Sequence, residues 1–374
     1  MQKVALYPFN KITQGLIRFR DLLDFEICSV LDFVLCTGND AGERVDGKIS
    51  GIAITDDAEE ALKDIDTLIL NDPGTTFAGN EKLFAENNLV QKWRKLIIRA
   101  NEKGIRVISV HEIFDRDTKA WIKDNNISID IGKKMDRQLL DNLDVLDVAG
   151  DNLHREIHEY IKSIEIDGTS IHPRKNIKKI AVMATHGCLG KFTTQMSLYR
   201  ELKKTGKKVT ALITEPTGFL FNQFDADMPK FMAEKPWSKY PYYINELVKK
   251  AEADGYEYII LSGQGSLTPN KHIRLDITKI SMLEAFDPDI NLLVAGYGDD
   301  GDVHDSIELL RIYASHAPLA ILIPDKVERE YGEYSYKTPE QIDARKKELR
   351  GKFGIPHVEL IKNISEIAKV IAAG

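Results

Sequence analysis

One stretch sets the fold that we predict for the C-terminal half of the chain: Ile180-Ala181-Val182-Met183-Ala184-Thr185-His186-Gly187-Cys188-Leu189-Gly190-Lys191-Phe192-Thr193-Thr194. Its first five residues are apolar, the next six form a loop with two glycines, and a helical period follows as far as Gly206. A strand that leads through a glycine-containing loop into a helix is typical of phosphate-binding units. We therefore predict that residues 178–215 bind a phosphorylated ligand, with a nucleotide in first place.

Each part of this loop has a chemical reason. Gly187 and Gly190 let backbone N–H groups approach phosphate oxygens without a Cβ in the way. The helix that starts near Lys191 directs its positive dipole end at the same anion, and the lysine adds a full charge. A hydroxyl of Thr193 or Thr194 can bind Mg²⁺. The predicted cofactor-binding residues are Thr185, His186, Gly187, Cys188, Leu189, Gly190, Lys191, Phe192, Thr193 and Thr194.

The match to a strict P-loop is incomplete. The strict pattern has glycine five residues before Gly190, where this chain has Thr185, and a hydroxyl directly after the lysine, where it has Phe192. The alternative is an ordinary strand-to-helix turn with a solvated lysine. Cys188 is better explained as a small loop residue than as a nucleophile.

Composition limits the classes of function. The 374 residues suffice for two domains, 43% of them are apolar, 29% are charged, and the formal net charge is −7. Because negative charge repels a phosphate backbone, we expect no nucleic-acid partner. Three cysteines are too few for a disulfide framework. With no secretory signal and no apolar run near the ~18 residues of a membrane helix, we expect a cytoplasmic protein.

Short β-rich runs alternate with longer stretches of helical period, which predicts parallel α/β architecture. The predicted strands lie near residues 3–7, 25–30, 66–70, 105–110, 178–184, 208–214, 257–262, 291–296, 318–323 and 357–361. The predicted helices lie near residues 13–23, 57–64, 79–103, 191–205, 240–253, 273–286, 303–315, 339–352 and 363–372. The third helix has one apolar face, formed by Leu83, Phe84, Leu89, Trp93, Leu96, Ile97 and Ala100.

The pattern weakens between about residues 115 and 176, just before a new strand begins. We therefore predict a Rossmann-like α/β domain over 1–170 and a P-loop nucleotide-binding domain, with a doubly wound parallel sheet, over 171–374. Asp32 follows the second strand, where dinucleotide-binding domains often place an acid for the ribose. Residues 7–11 lack the Gly-x-Gly-x-x-Gly pattern, so a Rossmann-like shape without NAD binding is expected.

Three motifs resemble those of a bacterial family of two-domain proteins whose best-understood members are D-glutamate N-acetyltransferases. The family has Gly-Thr-Asp-Cys-x-x-Gly-Lys-x-Thr where this chain has residues 184–193, Glu-Gly-Gln-Gly-Ser-Leu where it has residues 262–267, and a Thr-Gly pair where it has Thr217-Gly218. The C-terminal half is also similar to dethiobiotin synthetase, an ATP-dependent ligase with the same kind of loop. Residues 7–11 and 18–23 resemble a clostridial branch found with maturation systems for ribosomal peptides.

The chain departs from this family at three positions. Ala184 replaces a glycine, and His186 and Ser262 replace carboxylates that can bind Mg²⁺ or position a reacting group. Phosphate binding can survive these changes, since it depends on backbone N–H groups and Lys191. Other acids follow predicted strands, where ligands bind in parallel sheets. They are Glu215, Asp225, Asp227, and the cluster Asp299, Asp300 and Asp302; the alternative for each group is a solvated turn.

From these residues we predict a site with separate catalytic and metal-binding groups. The predicted catalytic residues are Lys191, Glu215, Gln264 and Ser266. The predicted metal ligands are Thr193, Asp225 and Asp227. Weaker candidates are His111, Arg18 and Arg20, which the family resemblance also suggests, and the pair His154 and His158, for which a solvated helix face is the better interpretation.

Three functions stay open at this stage. The first is an ATP- and Mg²⁺-dependent, ligase-like enzyme that activates an amino acid or peptide, as the ligase resemblance implies. The second transfers an acyl group from acetyl-CoA to an amine and needs no metal. The third is a non-catalytic nucleotide-binding scaffold in peptide maturation. For each we expect a homo-oligomer with no membrane partner.

Overall fold

The structure, a computed structural model, describes residues 1–34, 36–71, 86–110, 116–131, 177–221, 240–263, 265–268, 278–330 and 333–373. Within these ranges the chain forms two compact units, the first built on residues 1–131 and the second on the residues from 177 onward. Residues 219–221 and 330 group with the first unit. The predicted boundary at residue 170 lies outside the described ranges and stays a prediction.

The first unit contains a six-stranded sheet in which every pair of neighbours is parallel. The strands are β1 (Gln2–Tyr7), β2 (Phe25–Leu31), β3 (Ala53–Thr55), β4 (Thr67–Leu70), β5 (Arg106–Ser109) and β6 (Asp130–Ile131). Their order is β3-β2-β1-β4-β5-β6, which is the order of the doubly wound Rossmann fold. The described helices are α1 (Lys11–Arg18), α2 (Ala41–Asp46), α3 (Ala58–Ala61), α4 (Leu89–Glu102) and α5 (Arg116–Asp124).

Helix α4 covers one face of this sheet through its apolar stripe. Five of the seven stripe residues predicted from the sequence lie in the described chain and are all buried: Leu89, Trp93, Leu96, Ile97 and Ala100. Four of them, Trp93, Leu96, Ile97 and Ala100, pack in one cluster with residues of β1, β4 and β5. The helical period in the sequence therefore identifies the packing face correctly, because residues three and four apart share one side of a helix.

The second unit contains eight described strands. They are β7 (Lys178–Ala184), β8 (Val209–Leu212), β9 (Tyr258–Ser262), β10 (Ile290–Val294), β11 (Ala320–Ile323), β12 (Lys326–Glu330), β13 (Glu333–Tyr336) and β14 (His357–Leu360). Six of them form a parallel sheet in the order β14-β11-β10-β7-β9-β8, and β12 and β13 pair separately. The described helices are α6 (Lys191–Lys204), α7 (Tyr240–Ala253), α8 (Thr278–Phe286), α9 (Asp300–Tyr313), α10 (Pro339–Phe353) and α11 (Ile364–Ala373).

The predicted α/β fold class is confirmed in both units. In the second unit all six strands of the main sheet occur where the sequence predicts them. Strands β7, β8, β9, β10 and β11 are almost wholly buried, as expected for a parallel sheet that helices cover on both faces. Among the described helices, none is long and apolar enough to cross a membrane.

The sequence prediction misses several short elements. Strands β3 and β6 have three and two residues, too few to show an apolar alternation. The pair β12 and β13, and the helix α5, are also absent from the prediction. Helix α2 does carry a signal, because Asp40 caps its start and Gly47 ends it in a left-handed conformation.

Asp40 also fixes the loop that joins α2 to β3. Its carboxylate accepts hydrogen bonds from the backbone N–H groups of Glu43, Ser50 and Gly51, at 2.9, 2.8 and 2.7 Å. Burial alone raises the pKa of this carboxyl group, but the hydrogen bonds, led by the one from Ser50, lower it to about 2. The carboxylate therefore stabilises the fold above the ordinary pKa of 3.8, and that contribution is lost as the pH falls toward 2.

We expect Asp40→Asn to lower the free energy of unfolding at pH 7 by about 1–3 kcal/mol, because an amide cannot accept all of these hydrogen bonds. The difference from the wild-type protein should shrink toward zero as the pH approaches 2. Urea unfolding at pH 7 and pH 3 measures both effects. The control is Asp56→Asn, at a nearby exposed acid, and a pH-independent difference would contradict the assignment.

Candidate functional site

The loop after β7 lies at the point where the strand order of the second sheet reverses. β7 is flanked by β9 on one side and β10 on the other. The chain that leaves β7 returns at β8, beyond β9, whereas the chain that leaves β10 returns at β11 on the opposite side. In such sheets ligands bind in the crevice at the carboxyl ends of the strands that flank this reversal.

The loop itself, residues 185–190, contains two residues in a left-handed conformation and leads directly into a helix. Cys188 has φ +59° and Gly190 has φ +103°. Such turns direct successive N–H groups toward one point and form anion-binding nests. Helix α6 begins directly at Lys191, and its N-cap residue is Gly190. The positive end of the helix dipole therefore lies at the loop.

Lys191 is only 8% exposed, so its ammonium group does not extend into bulk water. Its Nζ donates a hydrogen bond to the carbonyl of His186, at 3.2 Å. The side chain thus folds back over the loop from the first turn of α6. This is the position from which a lysine reaches the phosphate oxygens in a P-loop.

The two threonines of α6 differ in their surroundings. Thr194 is fully buried, and its hydroxyl donates to the carbonyl of Gly190 at 3.0 Å. Thr193 is only partly buried and lies on the neighbouring face of the first turn. Of the two hydroxyls, that of Thr194 is thus bound to the backbone of the loop.

Thr185 belongs to the framework of the loop. Its N–H donates to the carbonyl of Val294 at 3.0 Å, and its own carbonyl accepts from the hydroxyl of Ser266 at 2.7 Å. Its hydroxyl donates to Oδ2 of Asp299 at 2.5 Å. Since the residue is fully buried, these bonds hold the start of the loop between the ends of β9 and β10.

The acidic cluster after β10 meets the loop, but most of its carboxylates are engaged. Asp299 and Arg345 form an ion pair at 2.9 Å, with side chains 5% and 4% exposed. Asp300 pairs with Arg345 at 2.5 Å and with Lys352 at 2.6 Å. These two partners, Lys352 first, lower the pKa of Asp300. Asp299 therefore lies beside the loop, and Asp299 and Asp300 both form ion pairs with basic side chains.

His186 faces the third acid of the cluster. Its Nε2 lies 3.2 Å from Oδ2 of Asp302 and 3.9 Å from Oδ2 of Asp299. The imidazole is about half exposed. A carboxylate that holds one ring nitrogen fixes the orientation of the ring and leaves the second nitrogen for proton exchange.

The segment after β9, which contains Gly263 and Gly265, lies against a buried lysine of α8 that the sequence analysis misses. A Cβ on Gly265 would lie 3.7 Å from Nζ of Lys279, and one on Gly263 would lie 3.5 Å from its Cγ. Lys279 is 6% exposed, and burial lowers its pKa. Leu267 donates its N–H to the carbonyl of Ala184 at 2.8 Å, so this segment joins the phosphate loop directly.

Of the other predicted site residues, Glu215 lies in the described chain and most of the rest do not. Glu215 is partly buried after β8, and its carbonyl accepts a hydrogen bond from the N–H of Gly218. The residues Asp225, Asp227, Gln264, His111, His154 and His158 lie outside the described ranges. Within the described ranges, no group of three or more His, Cys, Asp or Glu residues is arranged to hold a metal ion.

Three candidates of the N-terminal half, Asp32, Arg18 and Arg20, lie in the described ranges and form contacts within the first unit. Asp32 is buried and accepts hydrogen bonds from the N–H groups of Phe9 and Val34, both at 2.9 Å. A carboxylate bound in this way supports the turn after β1. Arg18 pairs with Asp46 at 2.8 Å, and Arg20 donates to the carbonyl of Ile17 at 3.1 Å.

Sheet order, loop conformation and the folded-back lysine together define a P-loop domain of the doubly wound α/β class. In agreement, residues 166–297 match the sequence model of a domain of unknown function, the DUF1611 C-terminal P-loop domain. The matched residues include β7, the phosphate loop, α6, β9 and the segment after it. No curated protein sequence has a significant match to this chain.

Solved structures show where the fold recurs. A DUF1611 family protein from Anabaena variabilis has a TM-score of 0.67 and 14% identity, over 100% of this chain and 99% of that chain. At this identity the likeness concerns the fold alone. A nucleotide-binding protein in complex with ADP from Archaeoglobus fulgidus has a TM-score of 0.32 and 16% identity, over 52% of this chain and 87% of that chain. A TM-score this low does not show a shared fold.

The two loop glycines should respond differently to alanine. A Cβ on Gly190 would lie 2.9 Å from Cδ1 of Ile361, and an alanine there would have to adopt φ +103°. A Cβ on Gly187 would meet nothing within 4 Å. We expect Gly190→Ala to destabilise the second unit by about 1–3 kcal/mol and Gly187→Ala to have little effect. Thermal and urea unfolding of both variants measure this, and equal stabilities would contradict the described loop conformation.

Proposed function

We propose that the second unit binds the phosphates of ATP, with Mg²⁺, in the loop 185–194, and that the protein uses the bound nucleotide in an enzymatic reaction. One observation carries this proposal. The ammonium group of Lys191, the N-terminus of α6 and the left-handed turn at Cys188 and Gly190 all lie at the carboxyl edge where the strand order reverses. The match to a P-loop domain supports it.

Within this site each residue would have a distinct role. Lys191 would stabilise the negative charge of a transferring phosphate, and backbone N–H groups of residues 186–190 would hold the oxygens. Thr193 would bind Mg²⁺ through its hydroxyl, because this ion binds few protein oxygens and keeps phosphate and water ligands. Asp225 and Asp227 remain the proposed further metal ligands. Glu215 remains a proposed replacement for the acids that the resembling family has, and Gln264 a proposed residue of the opposite wall of the site.

The contacts of Ser266 favour a role in holding the loop over a direct catalytic role. Its hydroxyl lies 2.7 Å from the carbonyl of Thr185 and 2.8 Å from that of Thr268. A hydroxyl used in this way fixes the loop. His186, whose ring Asp302 orients, is in a better position to exchange a proton with a bound substrate.

The reaction class that we propose first is ATP-dependent activation of a carboxylate or amine in an amino acid or peptide. The resemblance to dethiobiotin synthetase supports an ATP-dependent ligase, and the short motifs of the N-terminal half support a peptide-maturation context. Residues 166–297 form the matched P-loop domain, which supports a domain boundary near residue 170. We propose a homo-oligomeric, cytoplasmic enzyme.

A second candidate is N-acylation of an amino acid from acetyl-CoA, as in D-glutamate N-acetyltransferases. One observation favours it: His186 and Ser262 stand where the resembling family has carboxylates. Acyl transfer needs a cradle for the phosphates of CoA and a base for the amine, and it needs no metal. His186 next to Asp302 would suit the base.

Ligand-dependent thermal shifts separate these candidates. ATP, GTP, acetyl-CoA and NAD are each tested with and without Mg²⁺, since a ligand that binds the folded state raises the unfolding temperature. Stabilisation by ATP that requires Mg²⁺ supports the ligase-like enzyme, and metal-independent stabilisation by acetyl-CoA supports acyl transfer. Tight nucleotide binding without turnover would contradict both enzymes and leave a scaffold.

Lys191→Ala should weaken binding of MgATP by at least about tenfold, because a charge-assisted contact to phosphate is lost. Isothermal titration calorimetry of the full chain measures the change. The matched control is Lys204→Ala in the last turn of the same helix, where the ammonium group pairs with Glu201 at 2.7 Å. Unchanged affinity in the Lys191 variant would remove the basis of the proposed site.

A further inference from the structure

We propose that Asp299, held by Arg345, is the positioning residue of the phosphate loop. It would act through the hydroxyl of Thr185 and keep the N–H groups of residues 186–190 directed at the phosphates. This inference rests on the proposed nucleotide binding. It adds the residues that hold the phosphate loop, 185–190, in its binding conformation. Asp299 follows β10 and Arg345 lies on α10, both far from the loop in sequence.

The geometry leaves Asp299 no free oxygen for a ligand. Its Oδ1 accepts from Nη2 of Arg345 at 2.9 Å. Its Oδ2 accepts from the hydroxyl of Thr185 at 2.5 Å and from the N–H of Gly296 at 2.8 Å. A buried carboxylate with three strong donors is fully satisfied, so its function is to hold those donors in place.

Arg345 gives this carboxylate a fixed direction. Besides the ion pair with Asp299, its Nε donates to the carbonyl of Gly296 at 3.1 Å. Both ends of the segment Gly296–Asp299 are therefore bound to one planar guanidinium group. The helix that carries it is itself anchored, because Ile342 and Leu349 are buried in the main apolar core of the second unit.

The hydroxyl at position 185 explains why the loop can depart from the strict P-loop pattern. That pattern has glycine there, and a glycine offers no side chain to hold. In this chain the buried threonine links the first loop residue to Asp299 across the sheet edge. If the link is removed, the loop populates other conformations, and the apparent affinity falls in proportion to the competent fraction.

The test is isothermal titration calorimetry of the full chain with MgATP and with acetyl-CoA. Thr185→Val keeps the shape of the side chain and removes the hydroxyl, and it should weaken binding about 10- to 100-fold. Thr185→Ser restores the hydroxyl and should restore most of the affinity. Asp299→Asn should weaken binding to a similar extent, and the double variant Thr185→Val/Asp299→Asn no further, because both act through one contact.

Asp300→Asn is the matched control. This variant also takes a carboxylate from Arg345, at 2.5 Å, but Asp300 has its other ion pair with Lys352 and not with the loop. We expect it to lower the unfolding temperature without a comparable loss of affinity. A structural role alone would instead make affinity follow unfolding temperature across all variants, and that result would overturn the proposal.

The two proposals fail in different ways. Wild-type protein that binds neither ligand would overturn the nucleotide or CoA site and, with it, the positioning role. Wild-type binding that Thr185→Val leaves unchanged would overturn the positioning role alone. Fully additive losses in the double variant would show that Asp299 acts by another route and would also overturn it.

Discussion

The second unit depends on the ion pair between Asp299 and Arg345. Both side chains are almost wholly buried, and burial of two charges costs more than a simple attraction returns unless every hydrogen-bonding atom is matched. Here the remaining donors and acceptors are matched by Thr185, Gly296 and Asp300. Loss of Arg345 would leave Asp299 as a buried carboxylate without this cation, and breaking a buried pair in this way typically costs about 3–5 kcal/mol. Two apolar side chains of equal volume can be just as stable. The ion pair therefore contributes fixed positions of the hydrogen-bonding groups around it rather than extra stability.

This geometry lies at the end of a central strand of the sheet. β7 has a hydrogen-bonded neighbour on each side, and its seven residues run almost wholly through the interior. The loop after it is therefore attached to a part of the chain that cannot shift without breaking two ladders. On this support Ser266 holds the loop from the side of β9 and Asp299 holds it from the side of β10. A rigid cradle of this kind binds an anion without paying for reordering.

Much of the fold could be predicted from the sequence, because its signals are local. The buried strands of the second unit are continuous apolar runs between polar turns, and β7 occupies its predicted residues, 178–184. The face of α4 follows from the spacing of Leu89, Trp93 and Ile97. Elements of two or three residues, such as β6 and β3, have no period to detect. They become strands only because a neighbouring strand offers free hydrogen-bonding groups.

The candidate site divides in the same way. Gly190, Lys191 and the start of α6 are neighbours in sequence, so a local pattern reveals them. Arg345 and Lys279 reach the site only through the fold, and nothing in their own surroundings distinguishes them from other basic residues of helices. The roles of Thr185 and Asp299 could not be predicted either. A threonine in a loop and an acid in a turn are usually solvated, and only the structure shows that they bind each other.

The parallel sheet has a consequence for the growing chain. The hydroxyl of Thr185 and its carboxylate partner are separated by 114 positions. The guanidinium group that orients the carboxylate follows a further 46 positions later. During synthesis the ribosome therefore exposes β7 and its glycine turn well before either partner exists. An apolar strand without neighbours tends to aggregate, so a chaperone could shield this stretch during that interval.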